Sequence, residues 1–137
     1  MIYNRKARFD YTIESEMEAG IVLEGWEVKA LAAGRGDLTG SHAFIRGSVA
    51  YLVGMKITPM PQAFGVSEQG HSRTRRLLLH KHEMKKLLGQ VERSGYTLVP
   101  LNIHFSKGKL KIQLGLAKGK KQHDKRETIK KIGRAHV

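Results

Sequence analysis

Leu110, Ile112, Leu114 and Leu116 alternate with Lys109, Lys111, Gln113 and Gly115. A period of two over this length is a β-strand with one buried face and one basic, wet face. The stretch after it cannot extend that core. No residue from Lys118 to Arg126 is strongly apolar. Lys118, Lys120, Lys121, Lys125, Arg126, Lys130, Lys131 and Arg134 outweigh Asp124 and Glu127 there. The pattern predicts a folded body over residues 1–117 and a basic, disordered tail over 118–137, and such tails bind nucleic acid.

Net charge agrees. The 25 Lys and Arg against 12 Asp and Glu give +13, spread over body and tail. That excess repels itself unless a polyanion neutralises it. A chain of 137 residues is long enough for one domain with a real core. It has no cysteine, which rules out disulfides and thiolate metal sites and suits the cytosol. Met1 to Lys6 leads into no apolar signal segment, and no run approaches the ~18 apolar residues of a membrane span. The expectation is a soluble cytoplasmic protein, monomeric when free.

Two runs of strand-forming composition, Tyr11 to Ile13 and Gly20 to Leu23, flank Glu14, Glu16 and Glu18. Alternation of Ile13, Ser15 and Met17 against these glutamates predicts one long strand bent near Gly20. Gly25 to Leu31 reads as a short helix stopped by Gly34 and Gly36. Ala43–Arg46, Gly47-Ser48 and Val49–Val53 form a hairpin signal, with Gly-Ser fitting a type II′ turn. Met55 to Pro59 adds a short strand, and 61–74 reads as loop. Met84, Leu87, Leu88 and Val91 repeat at helical spacing. Glu83 and Arg93 suit the macrodipole of that helix, and Gly95 ends it. Tyr96 to Phe105 follows as a strand, in which Pro100 marks an edge or bulge. Tight turns between consecutive strands favour an antiparallel sheet. The predicted fold is mainly β, an OB-like closed antiparallel β-barrel with two to three peripheral helices.

No reactive group stands out. Glu14, Glu16 and Glu18 are paired carboxylates, but a solvated strand face explains them more simply. His71, His80 and His82 lack a partnered ligand at metal spacing. No phosphate-binding glycine loop is present, and Lys118 to Lys121 resembles only the end of one. The reading is therefore no enzyme, no cofactor and no metal. Basic clusters occur at Arg5-Lys6-Arg8, at Arg73, Arg75, Arg76 and Lys81, and in the tail. Tyr3, Phe9, Tyr11 and His123 lie in or beside them. Cations with flat groups between them can hold phosphates and stack bases. A merely basic, soluble surface is the plainer alternative.

Several segments resemble the SmpB (SsrA-binding protein) family. They are Asn4 to Arg8 with Tyr11, Glu18 to Lys29, Arg76 to Lys81, Gly95 to Leu101, and Leu116 to Lys121 running on to Arg126. The resemblance spans Asn4 to about Lys131. It implies a bacterial, non-enzymatic RNA-binding protein with an OB-like barrel. The barrel would bind the tRNA-like domain of tmRNA and bring it to stalled ribosomes for trans-translation. The tail would enter the small-subunit decoding region. A general RNA-binding or ribosome-associated protein without tmRNA specificity is the alternative.

By the same resemblance, Asn4, Tyr11, Glu18, Leu78 and His80 form the RNA-facing set. Arg5, Lys29, Arg35, Arg75, Arg76 and Lys81 are phosphate candidates on charge alone. Lys118, Gly119, Lys120 and Lys121 match the junction of barrel and tail. His123, Asp124, Lys125 and Arg126 match the decoding-centre segment. The sequence departs from the family pattern in places. Ala32 stands where a basic residue is common, and His42 stands where Tyr is usual; its imidazole can still stack on a base with less area, so His42 is kept among the RNA-binding candidates. The usual short leader before Asn4 is missing. Ile132 to Val137 does not resemble the usual basic helical continuation, and Gly133 opposes helix. The expectation is a shortened or altered tail, with RNA binding by the barrel retained.

Overall fold

The computed structural model describes residues 2–62, 65 and 68–119. The chain begins with β1 (Ile2–Tyr3), α1 (Arg5–Asp10), β2 (Tyr11–Ile21) and α2 (Gly25–Ala32). It continues through β3 (Gly36–Asp37), β4 (His42–Arg46), β5 (Val49–Val53), β6 (Lys56–Ile57) and α3 (Glu68–His71). Then come β7 (Arg75–Leu78), α4 (Lys81–Ser94), β8 (Thr97–Ser106) and β9 (Lys109–Gly119). The fold is mainly β, as expected. The main sheet has seven strands in the order β1-β8-β4-β5-β7-β2-β9, and β9 also pairs with β8. Every pairing is antiparallel, and the pairings return on themselves in a ring. Among the described residues no helix is long and apolar enough to cross a membrane.

The alternating strand behaves as its pattern requires. Ile112, Leu114 and Leu116 are buried in the main core with Leu52, Leu77, Leu98 and Ile103. Burying each such side chain contributes about 1.5–3 kcal/mol. The strand does not stop at Ala117, however. Lys118 and Gly119 pair with Thr12 and Tyr11, so both belong to the sheet rather than to the tail. The long partner strands β2 and β9 hold them there. The predicted tail from Lys120 onward lies outside the described residues.

The long strand β2 is present, but its alternation breaks. A bulge between Ile13 and Ser15 takes Glu14 out of register. Ser15 and Met17 pair with the inward residues Leu116 and Leu114, whereas Ile13 pairs with Ala117. Ile13 thus sits on the opposite face, in a second small core of Ala7, Val99, Leu101 and Ala117. The other strand bulge falls between Pro100 and Asn102, where proline was expected to cause one.

Helix α4 matches the spacing of Met84, Leu87, Leu88 and Val91, and Gly95 caps it at φ +70°. Helix α1 was not foreseen; it buries only Ala7 and so shows no apolar period. The segment 61–74, read as loop, contains the short α3. The β4–β5 turn is also corrected. Gly47 and Ser48 both have positive φ, +58° and +64°, which makes the turn type I′ rather than II′.

Candidate nucleic-acid interface

The wet face of β2, β8 and β9 carries the first cluster. Glu18 pairs with Gln113, which alternates with the buried leucines and points outward; Glu16 pairs with Gly115 on the same face, where Ile13 and Leu101 cover the glycine. His104 on β8 reaches Glu18, with Nε2 at 3.0 Å from Oε2. Its Nδ1 lies 2.7 Å from Asn102 Oδ1. Gln113 Nε2 donates to Glu16 Oε1 at 3.4 Å, and Arg8 Nη2 donates to Glu16 Oε2 at 3.2 Å. Such exposed contacts add little stability, so their effect is to orient the carboxylates.

Leu78 completes this face. It pairs with Gly20, two residues beyond Glu18 on the same side of β2, and it is 53% exposed. The missing side chain of Gly20 makes room for it: a Cβ there would meet Leu78 Cβ at 3.1 Å. Arg76 lies on the same face of β7 and is exposed. Glu18, Leu78 and Arg76 therefore share one surface.

A second cluster surrounds α1. Asn4, Tyr11 and His42 line a cleft of about 190 Å3 with Lys6, Ser41 and Thr97. Asn4 is buried and anchored at both ends: its N–H donates to Leu101 O and its Nδ2 to Pro100 O, each at 2.8 Å. That fixes the amide orientation, and among the described residues no donor reaches Asn4 Oδ1. Arg5 is exposed on α1 nearby. Gly119 pairs with Tyr11, so β9 ends beside this cleft. Lys118 Nζ lies 4.6 Å from the centre of the Tyr96 ring, a cation–π contact at the strand end. The Tyr96 hydroxyl is raised above its ordinary pKa by burial, and further by the charge and hydrogen bond of Glu14.

The remaining expected residues are scattered. Lys29 borders an apolar hollow with Trp26 and Met60, none of which lines the Asn4–Tyr11 cleft. Arg35 donates from Nε to Thr58 O at 3.3 Å. His80 is the residue preceding α4; its N–H donates to Glu83 Oε1 at 3.0 Å and its ring stacks on His82. Lys81 is the exposed first residue of that helix. Lys120, Lys121, His123, Asp124, Lys125 and Arg126 lie outside the described residues. No group of three His, Cys, Asp or Glu gathers as metal ligands among those described.

Arg75 is a correction. Expected among the phosphate contacts, it is fully buried. Its Nε donates to Glu27 Oε2 at 2.7 Å, and Nη1 donates to Met55 O at 2.7 Å and to Arg73 O at 3.1 Å. Nη2 donates to His71 O at 3.1 Å and to Gly70 O at 3.5 Å. Arg73 also donates to Glu27. A guanidinium with its donors spent inside the fold has none left for a phosphate. Conversely, His104, Asn102 and Gln113 were not singled out from the sequence. Their only signal was an outward phase on strands whose apolar partners face inward.

With this geometry in hand, the comparison with known proteins is decisive. A family model described as SmpB protein matches residues 1–135. The chain belongs to the SmpB family. It is a family of RNA-binding proteins, not of enzymes. An SsrA-binding protein of Paraburkholderia xenovorans (strain LB400) is 55% identical over 131 residues, covering 96% of this chain and 88% of that one. One from Burkholderia thailandensis is 56% identical with the same coverage. A chain of a solved structure described as "tmRNA-SmpB: a journey to the center of the bacterial ribosome" superposes with a TM-score of 0.70 at 48% identity. It covers 87% of this chain and 83% of the other.

Proposed function

We propose that this chain binds the tRNA-like domain of tmRNA and delivers it to stalled ribosomes for trans-translation. The observation that carries this is the adjacency of Glu18, Leu78 and Arg76 on one wet sheet face, in a chain whose relatives are named for binding SsrA. A carboxylate opposes phosphate, so Glu18 serves to accept hydrogen bonds from base edges or ribose hydroxyls. Leu78 offers apolar contact to an unstacked base, and Arg76 offers charge to phosphate. The closed ring of strand pairings supports reading the sheet as an OB-like barrel. The basic segment from Lys120 to Arg126 would then act in the decoding region, leaving the sheet beside the Asn4–Tyr11 cleft. The site of action follows as the bacterial cytoplasm.

The test is capture of RNA from total bacterial transcripts by the purified chain. The expected result is enrichment of tmRNA over bulk RNA, with log K falling with log salt at ~0.7–0.9 per phosphate contact. Equal affinity for any RNA of similar length would instead identify a general RNA-binding protein, the reading favoured by net charge alone.

A further inference from the structure

The wet face of the β4–β5–β7 side of the sheet carries an aromatic pair that no expected site residue accounts for. Phe44 on β4 pairs in register with Tyr51 on β5, and Tyr51 pairs with Arg76 on β7. Their neighbours Ala43, Leu52 and Leu77 are buried, so Phe44, Tyr51 and Arg76 share the outer face. The two rings stack with centroids 5.3 Å apart and planes 29° apart, and both are half-buried. Arg46 lies on the same side of β4, with its guanidinium carbon 5.6 Å from the Phe44 ring centre. The row thus runs Arg46, Phe44, Tyr51, Arg76 across neighbouring strands. Leu78 follows two residues beyond Arg76 on the same face.

We infer that this row is a stacking platform for unpaired RNA bases, held between Arg46 and Arg76, which contact the flanking phosphates. The physical reason is the match of parts. The rings stack on one another and Arg46 lies over Phe44, so the π-surface offered to a base is the part of the ring faces outside those contacts, at a register fixed by the backbone. Two guanidinium groups at either end supply charge for a backbone passing over the rings. Pairing across strands alone would explain the two rings, but not an arginine at each side of them in a region continuous with Leu78 and Glu18. The inference rests on the reading of this chain as an RNA-binding protein and extends its footprint beyond the Glu18–Leu78 surface.

The test uses the full chain. Phe44→Ile and Tyr51→Val, singly and together, remove the rings while keeping strand-forming residues; Tyr51→Phe keeps the ring. The probes are the tRNA-like domain of tmRNA, a short unstructured oligoribonucleotide and an RNA duplex. The double variant is expected to lose about 5- to 100-fold in affinity for the first two and little for the duplex, while Tyr51→Phe binds as the parent does. Arg46→Gln and Arg76→Gln are each expected to lower the salt slope by about 0.7. If the double variant fails to fold, photo-crosslinking of thiouridine-labelled RNA to the unaltered chain decides. Crosslinks at Phe44 or Tyr51 support the platform, and crosslinks confined to other segments overturn it. Folded ring-less variants with unchanged affinity also overturn it, and leave tmRNA binding standing. An unaltered chain that binds the oligoribonucleotide through these rings but does not prefer tmRNA would sink the proposed function and keep the platform.

Discussion

Arg75 and Glu27 form a fully buried ion pair, Nε to Oε2 at 2.7 Å, between β7 and α2. Removing one partner would strand the other's charge in the core. Glu27→Gln is therefore expected to cost about 3–5 kcal/mol, measured by urea denaturation. An apolar replacement of both residues would not restore stability here. Arg75 also satisfies the carbonyls of Met55, Arg73 and His71, which would lose their donor. A double variant Glu27→Leu/Arg75→Met as stable as the parent would refute this account of the pair.

The same pair gives a pH dependence. Burial pushes the Glu27 carboxyl up, but hydrogen bonds from Arg73, from the Glu24 N–H and from Arg75 outweigh it. The carboxyl is held below its ordinary value of 4.5. As pH falls through that ordinary value the unfolded chain takes up its proton first, so stability drops. The contribution is full at neutral pH and is lost between the ordinary value and the lower folded one. Urea midpoints taken from neutral to acid pH should fall in that window. A flat profile there would contradict the lowered carboxyl.

Glu18 separates a specific reader from a cationic surface. Its carboxylate is 44% exposed and bonded to His104, so Glu18→Ala should change stability by less than about 1 kcal/mol. A generic basic surface would bind RNA as well or better after losing an acid. A surface that uses Glu18 as acceptor should lose about tenfold in affinity for the tRNA-like domain. Titrations of parent and variant at one fixed salt concentration distinguish the two.

The sequence showed these features unevenly, for physical reasons. Strand β9 and helix α4 were legible because each has one dry face and keeps strict period over its length. Helix α1 buries only Ala7, so it leaves no pattern to read. Ile13 changes faces because a single bulged residue resets the period, and no composition marks that position. Arg75 was misplaced because Arg75-Arg76-Leu77-Leu78 is a run of doublets. Charge and composition do not choose between the arginines; an outward Leu78 already turns Arg75 inward on a strand, and the buried Glu27 opposite receives it. Phe44 and Tyr51 were read as hairpin residues, since their alignment across strands exists only once the register is set.

Two glycines with similar gaps should respond differently. A Cβ on Gly115 would meet Ile13 Cγ2 at 3.1 Å and Leu101 Cδ1 at 3.2 Å. Leu101 is buried and Ile13 packs against the same small core, so neither can step aside. Gly115→Ala is expected to destabilise by about 1–3 kcal/mol. At Gly20 the nearest atom is Leu78 Cβ at 3.1 Å, which rotation of the side chain does not move, but the β2–β7 pairing is short and Leu78 is largely exposed, so the β7 backbone can give by a few tenths of an ångström. Gly20→Ala should cost less stability but shift Leu78 and weaken RNA binding. Denaturation and binding measured on both variants test the contrast, which fails if Gly20→Ala is the more destabilising.

The β4–β5 hairpin holds a correctable strain. Ser48 sits at φ +64°, where a side chain carries a cost of roughly 1 kcal/mol that glycine does not. Gly47 occupies the preceding position at φ +58°, where asparagine is well tolerated. A type I′ turn prefers Asn-Gly, in that order. Replacing Gly47-Ser48 by Asn-Gly should therefore stabilise the fold by about 0.5–1 kcal/mol. The turn joins the strands that carry Phe44 and Tyr51, and tightening it leaves their register unchanged. RNA affinity should stay constant while the urea midpoint rises. A fall in the midpoint would show that the turn does not hold the I′ conformation in solution.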